Sequence, residues 1–330
     1  MPIIGRHSIG RAARVRLLVG LAALGLAVTA CGGGGGGGAG SGSLGAYHLD
    51  NASFKVGSKE FTESLVLGQI TIQALQATGA KVDDKTGIQG TTNVRKALTG
   101  GDIDMYWDYT GTGWTTLLGH TPAQAPKDPT ALFQAVATED LQKNQVKWLN
   151  PAPLNDTYAI ATAASRAQQL NVHSLSDYAR LANTSPAQAS MCVASEFLSR
   201  DDGWPGVQKA YGFALPGNLL KTIDMGVIYT QIPSGQQCNF GEVTSSDGRV
   251  AANNLQVLDD DKHFFVLYNG ALTMRNDTFT KYPQLAQIFG PISQKLTDAV
   301  VRDLNKQVDV DGALPEQVAK KFLQDNRFIS

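Results

Sequence analysis

The chain has 330 residues, with 28 Lys and Arg against 29 Asp and Glu, a formal net charge of −1. Four of the basic residues and none of the acidic ones lie in the first thirty positions, which leaves 24 against 29 beyond them, a balance of −5. With no basic tract past that point, the composition excludes a nucleic-acid partner, and the roughly 280 residues after a glycine-rich stretch suffice for two lobes with cores of their own.

Arg6, Arg11, Arg14 and Arg16 form a basic head, and Leu17 to Ala30 is an apolar run too short to span a bilayer as a stable helix. The run ends Val28-Thr-Ala-Cys31, which resembles the bacterial lipobox, where the cysteine is lipidated and becomes the first mature residue. Residues 1–30 are therefore expected to be a lipoprotein signal peptide. Residues 31–51, with glycine from Gly32 to Gly38 and then Ala39-Gly-Ser-Gly-Ser43, are expected to be a tether. About fifteen such residues give an r.m.s. reach of about 20 Å. The protein would sit outside the cytoplasm, held to the bacterial cell membrane through Cys31. Lipidation leaves Cys192 and Cys238. Two cysteines in an exported chain fit a disulfide, with two buried free thiols as the alternative. No Cys/His spacing suggests a metal, and nothing calls for a cofactor.

Phe54 to Lys59 predicts a first strand and turn, followed by a helix capped by Thr62 and running to about Thr78, with Val66, Ile70, Ala74 and Ala77 on one face. The helix start offers free backbone N–H groups, a natural place for an anion, with Lys59 in the adjoining turn. Val82 to Ile88 predicts a second strand, Asn93 to Thr99 a helix capped by Thr92, and Asp102 to Trp107 a third strand. Ala131 to Asn144 follows as a helix and Val146 to Trp148 as a short strand. Alternation of this kind predicts α/β layers. Pro151 to Tyr158, broken by two prolines, predicts a crossover between lobes. Beyond it, strands are expected at Tyr158–Thr162, Ser190–Ala194, Asn239–Ser245 and Leu255–Leu258, and helices at Ser174–Ala182, Gly206–Tyr211 and Ile223–Ile232. Asp259 to Lys262 reads as a solvated charged turn. Phe264 to Arg275 is extended and can return the chain to the first lobe. Helices at 284–289, 291–306 and 315–325 close the sequence.

The stretch Tyr106-Trp-Asp-Tyr-Thr-Gly-Thr-Gly-Trp114 stands out. Aromatic faces attract cations, and Gly and Thr leave room and hydrogen bonds for a small guest. Core filling is the competing role for such a cluster, and for Trp107 and Trp114 lobe packing is the expected one.

Several segments resemble, in order, the substrate-binding lipoproteins of glycine betaine/carnitine/choline (quaternary amine) ABC transporters. They are Val56–Glu63, Tyr109–Thr112, Asn155–Tyr158, Glu196–Gly203, Lys209–Phe213, Ser246–Arg249 and Leu258–Phe265. Together they cover nearly all of residues 52–330. The resemblance implies a type II periplasmic-binding-protein fold: two α/β lobes, 52–155 plus 266–330 and 156–265, joined by two crossovers with a ligand cleft between them. It also implies a monomer that captures a quaternary ammonium zwitterion and delivers it to a permease subunit. By motif, Tyr109, Tyr158 and Tyr268 match positions of an aromatic cage, and Lys59, Thr112 and Arg200 match the side that meets the ligand's carboxylate. The chemistry is coherent in itself. A quaternary ammonium has no hydrogen to donate and is best met by aromatic faces, while a carboxylate suits the fork of an arginine.

One departure stands out. Where the family has a further cage aromatic, two residues before Ser246-Asp247, this chain has Thr244. A hydroxyl there opens a second reading, a larger betaine such as ergothioneine. An enzyme is not expected. The histidines of the mature chain, His48, His120, His173 and His263, sit in no nucleophile motif and at no metal-ligand spacing.

Overall fold

The computed structural model describes residues 42–330. The expected signal peptide, Cys31 and the glycine run lie outside the described residues. Part of the expected tether is structured. Ser43–Ala46 forms a turn of 3-10 helix, the amides of Ser43 and Leu44 donate to the carbonyls of Arg327 and Phe328, and Leu44 and Leu49 are buried. Two leucines are enough to dock this stretch against the end of the chain, so residues 43–51 belong to the folded body.

The strands fall in two five-stranded sheets. In chain order they are β1 Ser53–Lys59, β2 Lys81–Ile88, β3 Met105–Tyr109, β4 Val146–Trp148, β5 Tyr158–Ala163, β6 Met191–Val193, β7 Leu220–Thr222, β8 Phe240–Thr244, β9 Leu255–Val257 and β10 Gly270–Arg275. The first sheet has the order β2-β1-β3-β10-β4 and the second β7-β6-β8-β5-β9. β1 pairs in parallel with β2 and β3, and β10 runs antiparallel to β3 and β4. The second sheet repeats the scheme: β6 is parallel to β7 and β8, and β5 antiparallel to β8 and β9. The chain thus passes from one sheet to the other before β5 and back before β10. Each crossing delivers a strand antiparallel to its neighbours, so the starts of β5 and β10 lie at the same sheet edge as the ends of the parallel strands.

Apolar residues pack on both faces of each sheet. Phe54, Ile70 and Leu272 belong to one core of the first sheet, and Val94, Leu132 and Trp148 to the other. The Thr62–Ala77 helix buries Val66, Leu67, Ile70 and Ala74. Thr62 does not cap it. Phe61 is the N-cap residue, and the Thr62 hydroxyl donates instead to Asp309 at 2.6 Å. Pro291 does not start a helix either. It lies inside the Leu285–Lys295 helix, and the next break comes at Thr297, whose side chain accepts the Val300 N–H at the head of the Asp298–Asp309 helix. The charged turn is not simply solvated: Asp260 accepts the amides of Phe264 and Phe265 and the Tyr211 hydroxyl.

A disulfide joins Cys192 of β6 to Cys238, with Cα atoms 5.6 Å apart and 46 residues of sequence separation. Closing a loop of this length restricts the unfolded chain, worth about 2–4 kcal/mol. The double variant Cys192→Ala/Cys238→Ala is expected to lower the denaturant midpoint of unfolding accordingly. An unchanged midpoint would show that the bridge contributes nothing.

Candidate functional site

The topology gathers the cleft residues at the sheet edges that face each other. Lys59 ends β1, Tyr109 ends β3, Tyr158 begins β5 and Thr244 ends β8. Tyr158 and Thr244 are direct cross-strand partners, as are Tyr109 and Gly270. Tyr268 precedes β10, Thr112 follows β3, and Arg200 follows the Ser195–Ser199 helix. All seven line one cavity of about 890 Å³. Ligands of α/β sheets bind at such strand ends because loops and helix termini converge there.

The two cationic side chains are already paired. Lys59 Nζ lies 2.9 Å from the buried Asp108 carboxylate and 5.2 Å from the centre of the Tyr109 ring. Arg200 grips Asp202 through Nε at 2.7 Å and Nη2 at 2.6 Å, reaches Glu196 through Nη1 at 2.8 Å, and stands 5.5 Å from the Tyr158 ring centre. Burial alone would raise Asp202, but Arg200 holds it below the usual carboxylate range. A guest therefore meets spare N–H hydrogens here rather than unpaired charge. Thr112 Oγ1 lies 3.4 Å from Arg200 Nη2.

The tyrosine rings make the apolar wall. Tyr158 and Tyr268 meet edge to face, 5.4 Å between centres at 78°. Phe61 lies 6.1 Å from Tyr109 and lines the same cavity. Tyr109 donates its hydroxyl to Glu63 at 2.6 Å, and Tyr268 donates to Asp202. Trp107 belongs to the core of the first sheet and donates to Thr71. Trp114 stacks on His120 at 4.1 Å, away from the cavity lining. Thr244 has no ring to offer, but its amide N–H donates to the hydroxyl of the buried Tyr229 at 3.1 Å.

Among the described residues eight carboxylic acids line the cavity against three basic side chains; even with Glu63 and Glu242 mostly neutral at pH 7 the acids remain in excess, so its walls favour positive over negative charge. Five of those acids are shifted from their ordinary range: burial raises Asp309, against its burial Glu196 is lowered by Lys59 and Arg200, and the other three are raised further. Burial, with the Asp156 charge nearby, pushes Glu63 up to about 8. Burial pushes Asp156 up to about 6, against the bonds from Ser246 and Thr244. Burial pushes Glu242 up to about 8; its Ala194 N–H bond at 2.7 Å and Arg200 oppose this, and Glu196 adds to it.

A family model described as the substrate binding domain of the ABC-type glycine betaine transport system (OpuAC) matches residues 52–325. The chain belongs to this family. It is similar to the glycine-betaine-binding protein of Pseudomonas aeruginosa, at 34% identity over 84% of this chain and 89% of that one. It is also similar to the ergothioneine transport permease/ergothioneine binding protein EgtU of Helicobacter pylori, at 31% identity over 82% of this chain and 47% of that protein. Among solved structures, apo YehZ from Escherichia coli superposes with a TM-score of 0.61 at 31% identity, covering 84% of this chain and 99% of that one. The fold is that of a type II periplasmic binding protein, and the family is one of transport proteins, not of enzymes.

Within this family frame, the sequence reading did not find the acids or Phe61 as cleft residues. Glu63, Glu196, Asp202 and Phe61 all sit inside the motifs that carried the resemblance, and the surplus of acids there was the available signal. Gly111 shows how tightly the wall is built. A Cβ at this position would lie 2.8 Å from the Leu267 carbonyl oxygen and 2.8 Å from the Tyr268 ring. Moving the ring would relieve only one of these contacts; the other requires the backbone to shift. Gly111→Ala is expected to destabilise the protein by about 1–3 kcal/mol through overpacking, measured by chemical denaturation. No loss of stability would mean that both the Tyr268 ring and the Leu267 backbone have room to move.

Proposed function

We propose that this protein is the extracytoplasmic solute-binding component of an ABC importer and that it captures a quaternary ammonium zwitterion. Glycine betaine is the type ligand, with carnitine a second zwitterion and choline a related quaternary ammonium cation that lacks the carboxylate. The reading rests on the convergence of Tyr109, Tyr158 and Tyr268 on one acid-rich cavity in a chain of this family. The trimethylammonium group would lie against the three rings, each worth about 0.5–2 kcal/mol once water is excluded. Excess carboxylates around it supply long-range attraction that aromatic faces alone do not. The ligand's carboxylate would take the N–H hydrogens that Lys59 and Arg200 do not spend on Asp108, Glu196 and Asp202, together with the Thr112 hydroxyl. The lobes, 52–155 plus 266–330 and 156–265, would close over the ligand by a hinge motion at the two crossovers. The closed form would then deliver it to a permease. Lipidation at Cys31, after removal of residues 1–30, would keep the receptor beside that permease at the membrane.

Thr244 supports a second reading. A hydroxyl in place of a cage ring suits a betaine with a polar side group, and a relative at 31% identity carries the name of an ergothioneine binding protein. Side-by-side calorimetric titration with glycine betaine, proline betaine, carnitine, choline and ergothioneine separates the two. Tight binding of a small betaine is expected on the first reading, and ergothioneine alone on the second; silence from all five would overturn both. For whichever compound binds, Tyr158→Ala is expected to weaken affinity about tenfold or more, through loss of about 1–2 kcal/mol of cation–π contact. Unchanged affinity would remove Tyr158 from the cage.

A further inference from the structure

Ser246 carries one hydroxyl hydrogen, yet its oxygen lies 2.6 Å from Glu63 Oε2 and 2.6 Å from Asp156 Oδ1. A hydroxyl can donate to only one of two carboxylates. At the second it must accept, and a carboxylate can donate only when protonated. The network is short of hydrogens in another place too. Asn305 reaches Glu63 Oε2 through Nδ2 at 3.2 Å and the Ser246 carbonyl at 3.4 Å, while its own Oδ1 is buried with no donor among the described residues. The three acid and hydroxyl groups come from separate parts of the chain. Glu63 lies in the first turn of the Thr62–Ala77 helix, Asp156 precedes β5, and Ser246 follows β8. The Ser246–Glu63 bond therefore spans the cleft, and Glu63 also receives the hydroxyl of Tyr109.

We propose that Glu63 is a positioning residue that holds Tyr109 in the cage and, through one proton shared with Ser246 and Asp156, makes ligand capture take up a proton. The proposal rests on the functional reading above. Around this joint, Tyr109 of β3, Asn305 of the Asp298–Asp309 helix and Thr244 of β8 bring hydrogen-bonding groups. Asp247 brings a negative charge that Arg249 pairs at 2.5 Å. Lys59 of β1 faces the other side of Tyr109 and is neutralised by Asp108. No cation bonds Glu63 or Asp156 directly among the described residues.

The sign follows from burial. With the Ser246 bond across the cleft undone, Glu63 would regain water and return toward the ordinary glutamate range; with it made, burial holds Glu63 at about 8. Between those limits the closed form binds the extra proton. The ligand's own cation favours ionised Glu63 and works against this uptake; where burial outweighs it, affinity is greatest at low pH, falls as pH rises through the window, and levels off above it. One linked proton sets a ceiling of about tenfold per pH unit.

The test uses the purified protein with glycine betaine and with ergothioneine as probes, titrated calorimetrically in phosphate and in Tris from pH 6 to 9. The difference in apparent heat between buffers counts protons. Uptake of about half to one proton per ligand at pH 7 is expected, with affinity falling about three- to tenfold per unit up to pH 8. Glu63→Gln, which still accepts from Tyr109 and donates to Ser246, should abolish the uptake and flatten the profile, and Asp156→Asn should reduce both. Binding with no proton uptake and no pH dependence in the wild-type protein would overturn this proposal and leave the functional reading standing. No binding of either probe at any pH would overturn both.

Discussion

The cleft depends on the grip of Arg200 on Asp202. A buried ion costs several kcal/mol unless it is paired and hydrogen-bonded, and here one carboxylate meets four groups. It takes two N–H hydrogens from Arg200, the Thr115 hydroxyl at 2.6 Å and the Tyr268 hydroxyl. Arg200 and Asp202 follow β6 in the second sheet, whereas Thr115 and Tyr268 adjoin β3 and β10 in the first. One ion pair thus fixes the spacing of the lobes on this flank and orients two tyrosine rings of the cavity, Tyr268 by its hydroxyl and Tyr158 by the guanidinium over its face.

Pairing the cations internally shapes what the cleft can hold. Lys59 is neutralised by Asp108 and Arg200 by Asp202 and Glu196, so the unpaired surplus among the lining groups is acidic. A simple anion would find spare donors but little net attraction. A guest whose positive end sits among tyrosines and carboxylates, and whose negative end needs only a few N–H and O–H groups, matches both ends of the site. The Glu63–Ser246–Asp156 joint opposite Arg200 ties the other flank. The two flanks differ in kind: one is a fixed ion pair, the other a set of acids that share hydrogens.

Much of this was legible in the sequence because it depends on local signals. The strand ends that carry Lys59, Tyr158 and Thr244 are marked by turns and β-rich runs, whereas the third strand, expected over Asp102 to Trp107, spans Met105–Tyr109 and ends on Tyr109 itself; the matching motifs put those residues in order. Helix details were less legible. Thr62 has the right chemistry for a cap, but Asp309, 247 residues away, takes its hydroxyl. Pro291 looked like a helix start and is tolerated inside one. The acids were the least legible. Glu63 gains its role from Ser246, 183 residues on, and Glu242 from being buried in the second lobe beside Ala194. A carboxylate in a sequence is by default a solvated one, and only the fold shows which are taken out of water.

The central claim is that positive charge on the ligand, not its shape, is what the cleft recognises. Glycine betaine and 3,3-dimethylbutanoate have the same outline, but carbon replaces the quaternary nitrogen in the second. Comparing their affinities by calorimetry at one pH tests the claim most directly. The account predicts that the isostere, which keeps the carboxylate but lacks the positive charge, binds at least about tenfold more weakly, since it forfeits the cation–π contacts with Tyr109, Tyr158 and Tyr268. Equal affinity for the two would contradict it, because the rings would then be acting as an apolar pocket alone.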